Sequence, residues 1–263
     1  MLQKTFKYHF VYPWVKGEDR IDELKYSLRS LEKNFKEPFE VFIVGDLPEW
    51  ICNVHHIPAE RQTGMFENVA YDAIYKILKV CDCPDVNSYF IRMYDDIYLL
   101  QEMGFREISV IRALYDWSKK PAGDGTPSLT WQRQRDRTMA ALQAKGHPTW
   151  NTETHLPEVY LKSVLKWVLE EFNALENRYL ISSLYHNVVL CNSEKPKIIS
   201  KATYDKAGFY GVNSEFSYSM ADHGAIMNLL LKKLFLNHNN PGLSPGLEVA
   251  IKDYFHYKSK FEK

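Results

Sequence analysis

Apolar and polar positions follow two rhythms along the first hundred residues. Short apolar runs, YHFVYPWV (8–15), FEVFIVGD (39–46) and SYFIRMYDD (88–96), have the length and aromatic content of strands and end in Lys, Gly or Asp. Between them, RIDELKYSLRSLEKNF (20–35) places Ile21, Leu24, Leu28 and Leu31 at helical spacing, and MFENVAYDAIYKILKV (65–80) repeats that pattern. Strands alternating with helices of this size predict an α/β fold with a mainly parallel sheet and helices on its faces. In such sheets ligands bind beyond the carboxyl ends of the strands. Gly17, Asp46, Asp95 and Asp96 all fall at those ends.

The rhythm stops at SKKPAGDGTPSLTWQRQRDR (118–137), which is dense in Pro, Gly and Lys. This break predicts a mobile loop over 118–146, placed to act as a lid. HPTWNTETHLPEVY (147–160) reads as a compact polar-aromatic segment. Helical patterns return at EVYLKSVLKWVLEEFNAL (158–175), at YLISSLYHNVVL (179–190) and at ADHGAIMNLLLKKLF (221–235), and a last helix starts near Pro245. The reading is one catalytic domain over 1–263. It comprises an α/β half (1–117), the lid (118–146) and a mainly helical, acceptor-side half (147–263).

Charge and composition narrow the function. Lys+Arg and Asp+Glu balance at 33 each, so no global basic field points to nucleic acid. The longest apolar runs are too short to span a bilayer, and the first ten residues carry no apolar signal core. A cytoplasmic protein without stable membrane insertion is expected. Cys52, Cys81, Cys83 and Cys191 lack metal-ligand spacing and read as reduced, buried thiols. The 17 Tyr, 14 Phe and 6 Trp supply faces on which sugars or bases stack as well as core.

Seven segments occur in a fixed order: HFVYPWVKG (9–17), LKYSLRSLE (24–32), IVGDLPEWI (43–51), YFIRMYDD (89–96), THLPEVY (154–160), FYGVNSE (209–215) and PGLSPGLE (241–248). Together they resemble the Stealth family, whose members transfer hexose 1-phosphate from a nucleotide sugar. The resemblance covers most of the chain except 101–145. It implies a Rossmann-like, GT-A-like nucleotide-sugar-binding core, and it places Tyr12, Trp14 and Asn213 among the donor-binding residues. Three positions depart from the family pattern: His9 and Lys16 replace acidic residues, and Tyr94 replaces an Asn.

Chemistry can be assigned to individual residues. Asp95 and Asp96 repel each other unless a cation offsets the charge, so they are the candidate ligands of Mg²⁺ or Mn²⁺; the plainer alternative is a turn after the strand. Asp46 is placed for the base, the ribose or the metal, or for an ordinary turn before Pro48. Arg29 offers a bidentate contact to phosphate, or a salt bridge to Glu32 or Glu23. Asn68 binds sugar hydroxyls or caps its helix. His155 is the candidate acid/base group, with Glu153 two residues away to orient it. Arg133, with Arg135, Arg137 and nearby Trp131, closes over phosphate, grips an anionic polymer such as DNA, or belongs to a solvated loop. Asp222 and His223 read as capping and packing.

The expected activity is metal-dependent transfer of sugar 1-phosphate from a UDP-sugar-like or other donor to a hydroxyl of a glycan, a protein or a nucleic acid. Glycosyl transfer with release of a nucleoside diphosphate is the alternative, and a non-catalytic nucleotide-sugar-binding protein is the second. The sequence leaves the oligomeric state open.

Overall fold

The computed structural model describes residues 6–17, 22–62, 68–119, 129–190, 195–199, 223–238 and 243–263. The first half contains β1 (Tyr8–Trp14), α1 (Glu23–Asn34), β2 (Phe39–Gly45), β3 (His55–Pro58), α2 (Asn68–Asp82), β4 (Tyr89–Arg92) and β5 (Ile97–Leu99). A short α3 (Phe105–Ile108), β6 (Arg112–Ala113) and β7 (Tyr115–Asp116) follow. The second half contains α4 (Leu129–Ala144), β8 (Trp150–Asn151), β9 (Glu158–Leu161), α5 (Lys162–Glu171), α6 (Ala174–Asn177) and α7 (Ile181–Val189). It ends with β10 (Lys197–Ile198), α8 (His223–Leu230), β11 (Phe235–Asn237) and α9 (Pro245–Tyr254).

The central sheet has the order β3-β2-β1-β4-β9. Its first four strands are parallel and β9 runs antiparallel to β4, so the expected mixed α/β architecture with a mainly parallel sheet is present. Alternation along the strands serves two cores. Val11, Phe42 and Val44 face Ile74 and Ile77 of α2, Leu165 and Val168 of α5 and Leu184 of α7. Phe10, Tyr12, Val41 and Ile43 face Leu24, Leu28 and Leu31 of α1. Both faces are therefore covered, as near-continuous apolar strands require. A third cluster joins β5 and β11 to α8 and α9 through Tyr98, Leu236, Ile226 and Leu247. Among the described residues no helix is long and apolar enough to cross a membrane.

Several boundaries differ from the sequence expectation. The run that reads as one strand to Asp96 stops at Arg92; a turn carries Asp95 and Asp96, and β5 then pairs with β11 instead of joining the main sheet. Residues 158–161 are strand, because Glu158 and Tyr160 alternate inward against β4 before the helical pattern begins. The pattern at 221–235 likewise splits, and Phe235 belongs to β11. The lid expectation is corrected most. Residues 129–144 form helix α4, whose Met139 and Leu142 enter the core. Its inward side also holds Gln134, Arg135 and Thr138, and this polar content hides the helical period. Residues 120–128 of the expected lid lie outside the described residues.

Gly45 ends β2 with φ +118°, and a Cβ there would lie 2.1 Å from the Trp14 carbonyl oxygen. Only glycine lets β1 and β2 close at this point. Gly45→Ala is expected to lower stability by about 1–3 kcal/mol. Chemical unfolding checks this, and a loss below about 0.5 kcal/mol, the range of a neutral surface change, would refute the close-approach argument.

Candidate functional site

The strand order places β2 and β3 on one side of β1 and β4 on the other, which makes the carboxyl ends of β1 and β4 a topological switch point. β4 ends in Arg92, and its guanidinium is buried. Arg92 Nη2 donates to Glu158 on β9 and, at 2.7 Å, to Ser182 Oγ on α7. Tyr160 donates its hydroxyl to the same Glu158 oxygen at 2.8 Å. The rings of Tyr94 and Tyr160 lie 4.9 and 5.3 Å from the guanidinium carbon. Burial works against both charges, but each partner stabilises the other: the pKa of Arg92 is raised and that of Glu158 lowered.

Past Arg92 the chain turns, and Tyr94, Asp95 and Asp96 project beyond the strand end. His155 comes from the segment between β8 and β9 and meets Asp96 Oδ1 through Nε2 at 2.7 Å. Its ring stacks on Tyr94, with centroids 4.5 Å apart and planes 13° from parallel. The backbone of His155 is left-handed, φ +51°, a conformation uncommon outside glycine and one that clusters at functional sites. The side-chain amide of Asn237 on β11 donates to its carbonyl and holds it there. Burial pushes the imidazole pKa down, while the charge and hydrogen bond of Asp96 push it up and prevail.

Glu153 is not the group that orients His155. Its Oε1 accepts the backbone N–H of Ser183, in the first turn of α7, at 2.7 Å. Burial, reinforced by Glu158, raises its pKa against that hydrogen bond. Asp96 is the orienting partner instead. Glu153 and His155 do share one cleft of about 280 Å³, together with Arg92, Tyr94 and Trp131.

The remaining sequence candidates scatter. Asp46 lies just past β2, and its Oδ2 accepts the backbone N–H of Lys16 at 2.8 Å, tying together the ends of β1 and β2. Trp14 lies beside it at the end of β1, buried, and among the described residues its indole N–H has no acceptor. Tyr12 is fully enclosed and shares a 3.2 Å hydrogen bond with Ser27 of α1, so it supports the wall and presents no surface to a ligand. Arg29 is not brought to the site. Its Nε and Nη2 bind both oxygens of Glu262 at 2.8 and 2.7 Å, which fixes the C-terminal segment to α1; neither Glu32 nor Glu23 is that partner. Arg133 and Arg137 are exposed on α4. Arg135 is buried under the Trp131 ring and bonded to Tyr115 and Asp136. Asn68 opens α2, and its side chain lies outside the described residues, as do Asp222, the side chain of His223 and the whole segment containing Asn213.

Sequence reasoning missed Arg92, Glu158 and Ser182. The signal was present: an Arg inside an otherwise apolar strand needs a buried counter-charge. Nothing in the spacing identified Glu158 as that partner.

No family model matches the chain, and no curated protein matches it. Among solved structures, the glycosyltransferase GlyE of Streptococcus pneumoniae TIGR4 is similar in its apo form, with 12% identity and a TM-score of 0.35, and in a second structure, with 11% identity and a TM-score of 0.36. Each similarity covers 97% of this chain, which spans 65% and 66% of the two GlyE chains.

Proposed function

We propose that this protein is a metal-dependent transferase that uses a nucleotide-activated sugar and passes sugar 1-phosphate to a hydroxyl. The observation that carries the reading is the Asp96–His155 pair, 2.7 Å apart, beyond the carboxyl end of β4 at the switch point of the sheet. Asp46 and the indole N–H of Trp14, which has no acceptor among the described residues, stand at the neighbouring strand ends, where a GT-A-like core would receive the nucleotide. The ordered Stealth-like segments favour attack at phosphorus.

Asp95 and Asp96 supply hard oxygen donors on one turn. Among the described residues no three His, Cys, Asp or Glu side chains gather into a metal cage. Mg²⁺ or Mn²⁺ needs no such cage when one or two carboxylates and the substrate phosphates hold it, and this donor set fits a cation carried with the nucleotide. Bound there, the cation neutralises charge on the pyrophosphate. The chain's own residues do the rest. Asp96 holds the imidazole by one nitrogen and raises its basicity. The other nitrogen then accepts the proton of the attacking hydroxyl as the new oxygen–phosphorus bond forms. The bridging oxygen–phosphorus bond breaks, and nucleoside monophosphate leaves.

The test is to incubate the protein with Mn²⁺, a mixture of hydroxyl acceptors and a panel of nucleotide sugars, and to identify the nucleotide released. Nucleoside monophosphate supports the proposal. Nucleoside diphosphate replaces it with glycosyl transfer, and tight donor binding with no nucleotide released replaces it with a binding protein.

A further inference from the structure

The cleft beside His155 has a chemistry of its own. Its apolar lining joins three aromatic residues, Tyr94 past the end of β4, Trp131 on α4 and Tyr179 before α7, to aliphatic side chains of α2 and of the start of α7. Its charges cancel in pairs. Arg92 is paired with Glu158, and His155 with Asp96. Glu153 is the charged lining residue outside these two pairs, and it brings a carboxyl group, not a cation. Arg133 and Arg137 are exposed on the same helix as Trp131 but do not line the cleft, and Arg135 is turned into the core.

This balance decides what fits. A phosphate, a uronate or a nucleic-acid strand needs a net positive lining, and among the described residues no unpaired cation lines the cleft. A ligand rich in apolar carbon alone would leave the polar groups without partners. Among the described residues the Arg92 Nε–H, buried in the cleft wall, has no acceptor. Glu153 offers an acceptor and Ser182 a hydroxyl nearby. Aromatic faces with a few uncharged or acidic hydrogen-bonding groups match a ring that has C–H faces and hydroxyl edges.

We propose that this cleft binds a neutral saccharide, packed on Trp131 and hydrogen-bonded to Glu153, as the acceptor whose hydroxyl meets His155. The acceptor role rests on the transferase reading; the binding of a neutral sugar does not.

The experiment titrates the whole chain with neutral hexoses and disaccharides, and in parallel with glucuronate and glucose 6-phosphate. Ligand-observed NMR and tryptophan fluorescence report binding. Trp131→Ala is expected to weaken neutral-sugar binding about three- to tenfold, Trp131→Phe to restore most of it, and Arg133→Ala to change nothing. UDP binding, measured on the same samples, should be unaffected by Trp131→Ala. Neutral-sugar binding that depends on Trp131 supports the site even if no nucleotide is bound or released, an outcome that removes only its acceptor role. Preference for the anionic sugars overturns the proposal. So does UDP binding without any sugar binding, and so does sugar binding that Trp131→Ala leaves intact.

Discussion

Arg92→Met is expected to lower folding stability by about 3–5 kcal/mol, because it leaves the buried Glu158 carboxylate without its charged partner. Arg92 and Glu158 are 2% and 6% exposed. Taking two charges out of water costs so much that the pair itself adds little stability, while removing one partner leaves the full cost of the other. Arg92→Met/Glu158→Leu should therefore be far less destabilised than the single variant, and urea unfolding of the three proteins tests this. The pH dependence follows from the sign of the Glu158 shift. Its folded pKa is depressed by Arg92, so the wild-type pair contributes stability above the ordinary Glu range and loses it as pH falls through the depressed pKa. In Arg92→Met the largest influence that lowers this pKa is gone and burial is opposed only by weaker ones, among them the Tyr160 hydroxyl, so the pKa should rise and the variant's deficit should shrink as the solution is acidified. A loss below about 1 kcal/mol for Arg92→Met, the scale of an exposed pair, would mean that water reaches Glu158.

Local pattern and long-range pairing differ in what they reveal. The strands at 8–14, 39–45 and 89–92 and the helices at 23–34, 68–82 and 181–189 are legible because each satisfies its own period. The parallel sheet follows from their alternation, and the acidic turn at Asp95–Asp96 falls where such sheets place ligands. Helix α4 was not legible as a helix. Arg135 points inward to Tyr115, twenty residues away, a partnership that no local window contains. The same limit explains Arg29. Its bidentate partner is Glu262, more than two hundred residues distant, whereas spacing could offer only Glu23 and Glu32. Glu153 illustrates the limit at short range. Two residues from His155, it turns to α7 because Ser183 offers a backbone N–H there, and Asp96 arrives from β4 to take the imidazole. Motif resemblance could nominate His155, but only the return of β9 alongside β4 brings it to the acidic turn.

His155→Ala is expected to lower kcat by ~10²–10⁴-fold and to leave donor affinity nearly unchanged, measured with whichever donor the nucleotide panel identifies. In the proposed mechanism the imidazole would take the proton of the attacking hydroxyl, and the donor contacts proposed for Trp14 and Asp46 would survive its removal. Asp96→Asn separates the two ways in which the pair acts. It keeps a hydrogen-bonding group beside Nε2 and removes the charge that raises the His155 pKa above its ordinary 6.5. In the wild type the imidazole must lose its proton before it can act as a base, so activity should rise with pH through a limb above 6.5. Without the Asp96 charge, burial is the largest influence left and lowers the pKa, so the limb should move to more acidic pH, read on a residual rate because the variant also removes one of the two carboxylates proposed for the cation. Stability should shift as well. A histidine whose folded pKa is raised contributes stability that is fully present below its unfolded pKa and is lost as pH rises through the folded pKa. Asp96→Asn should therefore destabilise the fold more on the acid side of neutrality than on the alkaline side. If the acid limb stays where it is in Asp96→Asn while stability changes in this way, the pair is intact and another group supplies the limb. Glu153, half-buried in the same cleft, would then be the base to examine by Glu153→Gln.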